Sequence, residues 1–244
     1  MKNLLFVFCS VLVACTPSPD PQVIIDKSIL AHGGEKFEKS VVSYDFRDKH
    51  YTGQSIDGKA FYTREFADSI GFVRDELSNS TELKRYINDT LVELSPEWQV
   101  KYANSVNSVL YFFQLPYGLN DPAVRKKYIG EIYINKEPYH KIQITFGQQD
   151  GGVDFEDVFV YWIHQHDFTL DYLAYSYITD GGGTRFRQAI NRRKVNGIIV
   201  QDYVNMKAES KNVPVEKHDQ YFIDGRLLEL SRIINENVVV KKAK

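Results

Sequence analysis

His164 and His166 stand two residues apart and Asp167 follows them. On an extended strand that spacing turns both imidazoles to one side, which would suit a metal pair. A zinc hydrolase would need a third protein ligand and an open position for water as well. The same residues, His164-Gln165-His166-Asp167, read more simply as a solvated hairpin loop, and that is the expectation. Asp150 to Asp157, an Asp-Gly-Gly-Val-Asp-Phe-Glu-Asp run, offers oxygens of the kind that hold calcium but lacks the full EF-hand pattern. The sequence holds no Gly-x-Ser-x-Gly elbow, no His-Glu-x-x-His helix and no phosphate loop. The remaining histidines, His32, His50, His140 and His218, are scattered. No catalytic residue, metal ligand or cofactor is therefore expected, and a metal-dependent hydrolase using His164 and His166 is the third choice of function.

Two other groups of residues suggest contact with lipid. Leu12-Val13-Ala14-Cys15 follows Lys2 and the apolar run Leu4 to Val13, in the order charged start, short apolar core, small residue, cysteine. The run is shorter than the roughly 20 residues a membrane span needs. The pattern predicts a lipoprotein signal peptide over 1–14 and acylation of Cys15 as the first mature residue, which makes the membrane a partner through that residue. Cys9 leaves with the signal, so no disulfide can form within the mature chain. Thr16-Pro17-Ser18-Pro19-Asp20-Pro21 completes an extended, semi-rigid tether over 15–21. Thr16 lacks the acidic character of an inner-membrane retention signal, which points to the outer membrane, facing the periplasm. The second group is Arg185, Arg187, Arg192, Arg193 and Lys194. It reads first as a solvated strand face and second as a contact for lipid headgroups, since Arg185 and Arg187 share a face and guanidinium suits such anions.

The chain of 244 residues is 43% hydrophobic and 14% aromatic, which excludes disorder, and its net charge of −2 gives no footprint for nucleic acid. Residues 22–244 read as one β domain without repeats or a second composition regime. A helix over Pro21 to Ala31 ends at His32-Gly33-Gly34, where glycine beyond the last turn acts as a C-terminal cap rather than an anion loop. Short alternating strands follow, including Val41 to Arg47 and Lys59 to Phe66, with turns at Asn79-Ser80 and Asn88-Asp89. Ser95 caps a long helix with Pro96 at its first position and Glu97 in its first turn. Its stripe of Trp98, Tyr102, Val106, Val109 and Phe113 widens to Val109-Leu110-Tyr111-Phe112-Phe113, so this end is expected to insert between two layers. Seven strands then run from Tyr128 to Ile234, one hairpin turning at Asn196-Gly197. Phe159-Val160-Tyr161-Trp162-Ile163 is apolar on both faces. Either it is packed on both sides or one side lines a void.

The order of these parts resembles the lipoprotein-carrier superfamily of the LolA, LolB and LppX type. It is carried by the lipobox, Ala31-His32-Gly33-Gly34, the Ser43-Tyr44-Asp45-Phe46 strand, the capped apolar helix, and the hairpin from Asp157-Val158-Phe159-Val160-Tyr161-Trp162-Ile163 to Thr169-Leu170-Asp171-Tyr172-Leu173. Within it the chain is similar to bacterial lipoproteins grouped only as a domain of unknown function. The resemblance implies an incomplete, strongly curved antiparallel half-barrel with inserted helices in its mouth and an apolar cavity for acyl chains, and it carries over no catalytic residue. Trp98, Tyr102, Leu110, Phe113, Tyr161 and Trp162 are the candidate cavity walls, large apolar surfaces with polar edges suited to amphipathic ligands. The expected function is binding of a lipid, acyl chain or acylated peptide without turnover. The main alternative is a structural or interaction lipoprotein whose interior is simply packed core.

Overall fold

The computed structural model describes residues 18–56, 59–147, 157–178 and 181–243. The predicted signal peptide, Cys15 and residues 150–156 of the acidic run lie outside the described residues. The first helix, α1 (Pro21–Ala31), has the predicted bounds: Pro21 sits in the first turn and the Asp20 carboxylate accepts from the Gln22 N–H at 2.9 Å. Its end is a docking point. The Ile199 N–H donates to the His32 carbonyl at 3.0 Å, and a Cβ on Gly33 would stand 3.1 Å from the Gly197 carbonyl oxygen. With φ at +125°, Gly33 allows both the turn and the close approach.

Strands β1 (Ser40–Phe46), β2 (Lys49–Ile56), β3 (Lys59–Asp68), β4 (Gly71–Ser78), β5 (Glu82–Ile87) and β6 (Thr90–Val92) form an antiparallel meander. After helix α2 (Pro96–Gln114), a second meander contains β7 (Val124–Ile134), β8 (Glu137–Phe146), β9 (Phe159–His164), β10 (Leu170–Tyr177), β11 (Gly183–Val195) and β12 (Ile198–Ala208). A short helix, α3 (His218–Ile223), precedes β13 (Leu227–Ile233), which pairs with β12, and β14 (Glu236–Lys242), which returns to pair with β1. The result is two seven-stranded antiparallel sheets that do not close into a barrel, the open curved architecture expected from the sequence. Both central residues of the Asn88-Asp89 and Asn196-Gly197 turns have positive φ, as two-residue hairpins with mirror-image turns require, and Asn79 and Ser80 have positive φ within a three-residue loop between Ser78 and Glu82. The turn from β7 to β8 is another of the two-residue kind, centred on Asn135-Lys136.

The crossing from β13 to β14 joins the sheets at Asn235. Its N–H donates to Asp202 Oδ1 at 2.9 Å and its side-chain amide to the Gln201 carbonyl at 3.0 Å. Helix α2 lies between the layers, as its apolar end predicts. Ala103, Val106 and Leu110 pack with Tyr44, Tyr62, Leu77 and Leu83 of the first sheet, while Tyr111 and Phe112 reach the second. The approach to β2 is close enough that a Cβ on Gly53 would stand 3.0 Å from Leu110 Cδ2.

All six residues of β9 are buried, and two different environments explain its double apolar character. Phe159, Tyr161 and Ile163 face the interior with α1 and α2, whereas Val160 and Trp162 join Tyr172, Phe186, Val215 and Phe222 in a separate core. The α3 segment therefore seals one face of the second sheet. Trp162 donates its indole N–H to Asp219 Oδ2 at 3.0 Å, and Lys141 pairs with the same carboxylate while donating to the Glu216 carbonyl at 2.8 Å.

His32 is buried at the end of α1, where its Nδ1 donates to the Ser28 carbonyl at 2.9 Å and its Nε2 has no partner among the described residues. Desolvation lowers its pKa from 6.5 to about 4. Burial shifts His140 and His218 in the same direction. A depressed histidine pKa makes the unfolded chain bind more protons, so stability is full above the unfolded value of 6.5 and falls as pH drops through about 4. The His32 share of that loss is on the order of 3 kcal/mol. Urea unfolding of wild type and His32→Leu between pH 7 and pH 4 should show a shallower decline in the variant, and parallel declines would remove His32 from the account.

Candidate functional site: an aromatic cleft between the sheets

A cleft of about 1470 Å³ opens between the inner faces of the two sheets. It is larger than the roughly 300–1,000 Å³ of ordinary small-molecule pockets. Three elements build its apolar walls. Val109, Leu110, Phe112 and Phe113 come from α2, Val42, Phe46 and Tyr62 from the first sheet, and Phe146, Phe159, Tyr175 and Tyr203 from the second. The strand residues belong there by alternation: Tyr175 and Tyr177 are two apart on β10, as are Arg185 and Arg187 on β11, so each pair shares a face.

The aromatic walls are mutually packed. Phe113 stacks on Tyr44 with centroids 3.8 Å apart and planes at 6°, Phe159 stacks on Tyr175 at 5.4 Å, and Phe112 leans on Tyr175 at 5.1 Å. Polar side chains line it as well, among them Gln54, Ser55, Asn104, Asn107, Ser108 and Gln114. The Tyr62 hydroxyl donates to Gln114 Oε1 at 3.3 Å, and burial raises the Tyr62 pKa. Tyr117 stacks on Phe37 at 4.9 Å; burial, with Glu38 beside it, pushes its pKa up to about 12. Both hydroxyls are protonated at neutral pH. Charged side chains bordering the cleft include Glu38, Asp157, Arg185 and Arg187.

Of the six candidate wall residues, the cleft brings together Leu110 and Phe113. Tyr161 lies one layer behind, its hydroxyl 2.8 Å from that of Tyr111. Trp162 faces the sealed core on the other side of the sheet. Tyr102 covers an ionic cluster, with the Arg85 guanidinium 3.4 Å from its ring centroid, and Trp98 is 44% exposed and stacks on Tyr102 at 5.2 Å. That cluster occupies the first sheet beneath the N-terminal half of α2. Asp75 is fully buried and accepts from Arg64 Nε at 2.9 Å and Nη2 at 2.6 Å, and from Arg85 Nε at 2.7 Å and Nη2 at 2.9 Å. Arg64 also donates to Ser105 Oγ of α2 at 2.8 Å.

His164 and His166 do not line the cleft. The rings are 5.6 Å apart, His164 Nδ1 accepts the Asp167 N–H at 3.2 Å, and its Nε2 meets Glu137 at 3.2 Å. Among the described residues no group of three or more His, Cys, Asp or Glu is placed to hold a metal ion. The cleft residues outside the six candidates include Phe112 of α2, Val42, Phe46 and Tyr62 of the first sheet, and Phe159, Tyr175 and Tyr203 of the second. The signal of the last three was present in the alternation of β9, β10 and β12, but alternation marks two faces without saying which one is inside.

The architecture has a solved counterpart. A LolA superfamily protein from Nitrosomonas europaea superimposes with a TM-score of 0.50 at 10% identity, covering 93% of this chain and 94% of that one. A DUF1329 family protein from Desulfovibrio piger gives 0.45 at 9% identity over 91% and 93%, and the Mycobacterium tuberculosis lipoprotein LppX gives 0.30 at 14% over 68% and 92%. Identity this low speaks for fold alone, and the first of these shows the LolA-type fold. No curated protein matches the sequence. The family model DUF6503 matches residues 1–236, and the chain therefore belongs to that family, whose function is unknown.

Proposed function

We propose that the chain is a lipid-anchored protein of the cell envelope that binds a lipid, acyl chain or acylated peptide in the cleft without chemical turnover. The observation that carries this reading is the cleft itself, a space of about 1470 Å³ whose lining combines aromatic and aliphatic side chains with polar ones, as an amphipathic ligand requires. A cleft of this size leaves the apolar residues on the facing sides of two sheets uncovered by protein, and uncovered apolar surface of that kind marks a ligand-binding groove. The LolA-type fold supports the same reading by analogy. Leu12-Val13-Ala14-Cys15 supports attachment to the membrane through acylated Cys15, and Thr16 supports the outer membrane, facing the periplasm. A tether of a few residues at roughly 3 Å each would keep the cleft close to the lipid surface.

Residues 16–244, produced as a soluble chain and purified without detergent, are expected to release close to one equivalent of lipid on denaturation and extraction, read by mass spectrometry. Val109→Trp, which puts a larger ring on the cleft wall, should lower that yield several-fold while the chain stays folded. No lipid above the level of an unrelated control, together with unchanged stability in the variant, would favour the structural lipoprotein instead.

A further inference from the structure

We propose that Arg187, helped by Arg185, receives the headgroup of the bound amphipath, so that the preferred ligand carries an oxyanion, a carboxylate or a phosphate, on its apolar tail. This rests on the cleft being a lipid site and names the chemistry at one of its walls. Arg187 is only 8% exposed and borders the cleft. Its guanidinium carbon lies 3.6 Å from the Phe112 ring centroid and 5.3 Å from that of Tyr175. One Nη2 proton goes to the Tyr175 hydroxyl at 3.0 Å, while the buried Nε–H meets no acceptor among the described residues.

Arginine stays charged and presents five N–H donors in a fixed fork. The other deeply buried arginines of this chain follow the usual rule that such a charge is paired: Arg64 and Arg85 both hold Asp75. Arg187 has aromatic faces in place of a carboxylate among the described residues. Those faces attract the cation but accept none of its in-plane N–H groups. A second guanidinium stands two residues away on the same strand face: Arg185 donates to the Thr184 carbonyl at 2.9 Å, lies 4.9 Å from the Tyr177 ring centroid and also borders the cleft. Two forks on one wall fit an anion with several oxygens, and the neighbouring aromatic surface fits the chain attached to it. Asp157 and Glu38 border the same space, so the positive field is local to β11 rather than spread over the cleft.

The test uses the full-length chain reconstituted in phosphatidylcholine vesicles, with three photoreactive 16-carbon probes that differ only at the head: a carboxylic acid, the matching alcohol, and a lysophosphatidate. Wild type is expected to capture at least one anionic probe about tenfold or more over the alcohol, the range of one charge-assisted hydrogen bond. Preference for the acid would identify a fatty acid as the source of the oxyanion, and preference for the lysophosphatidate a phospholipid. Arg187→Met, which keeps the long stem over Phe112, should bring the anion-to-alcohol ratio close to one. A measurement free of any substitution accompanies it: hexadecanesulfonate, charged at all working pH values, should displace the anionic probe from wild type, and hexadecanol should not. Equal capture of anionic and neutral probes, or displacement by both competitors alike, overturns the headgroup inference and leaves lipid binding standing. Capture of no probe overturns the lipid site and the inference together.

Discussion

Replacing Asp75 with alanine should lower the stability of the chain by about 3–5 kcal/mol, the usual cost of removing one partner from a buried ionic cluster. Asp75 accepts from both Arg64 and Arg85, and all three are nearly inaccessible to water. Its loss leaves two guanidinium groups under α2 with only neutral partners, among them Ser105 and the Tyr102 ring. Domains are typically stable by about 5–15 kcal/mol, so this one change would remove a large share. Urea unfolding of the soluble chain should show the midpoint falling at nearly constant slope. A partner experiment separates charge from packing. Arg64→Met, Asp75→Leu and Arg85→Met made together should recover most of the loss, because burying well-packed apolar groups in place of an ionic cluster is often neutral or better. A midpoint unmoved by Asp75→Ala would mean that the cluster does not hold α2 against the first sheet. The consequence extends to the cleft, since the same helix supplies Leu110, Phe112 and Phe113 to its walls.

What could be read from the sequence was whatever local chemistry decides. The bounds of α1, the proline in the first turn of α2 and the Asn196-Gly197 hairpin depend on neighbours a few residues away, and all three are present. Strand β14 was not foreseen, because its pairing partner β1 lies almost the whole chain away and Glu236 to Lys242 is a short apolar run edged with charge. Helix α3 was missed for another reason: six residues without a side-chain cap give almost no periodic signal.

The candidate walls show where alternation should have been pressed further. Tyr161 and Trp162 are adjacent on a strand, so they point to opposite faces and cannot both look into one cavity. The stripe on α2 was likewise one face in sequence but two environments in space, an ionic cluster under Trp98 and Tyr102 and a cleft at Leu110 and Phe113. Which face of a strand lies inside is decided by what packs on the other side. For β9 that is α3, the element with the faintest signature.

Trp162→Ala should therefore cost about 3–5 kcal/mol, at the upper end for core truncations, because transfer and cavity terms add when the surroundings cannot collapse. The indole is fully buried between Phe186, Tyr172 and the α3 segment, and its N–H is one of the groups holding Asp219 in place. Loss of that donor leaves Asp219 with Lys141 and the Gln220 N–H and loosens the cover over the outer face of the second sheet. Phe113→Ala is the informative contrast. Phe113 is half-buried and stacks on Tyr44, yet its other side borders the cleft, so the space it vacates joins an existing one. Its expected cost is roughly 1–2 kcal/mol, from partial loss of apolar burial and of one stacked pair. Urea unfolding of the two variants side by side reads the difference directly. A larger loss for Trp162→Ala means a dry core on one side of the second sheet and an open one on the other, as lipid binding in the cleft requires. Equal losses of 3 kcal/mol or more would mean that both sides are packed alike, and the physical case for a lipid in the cleft would fall with them.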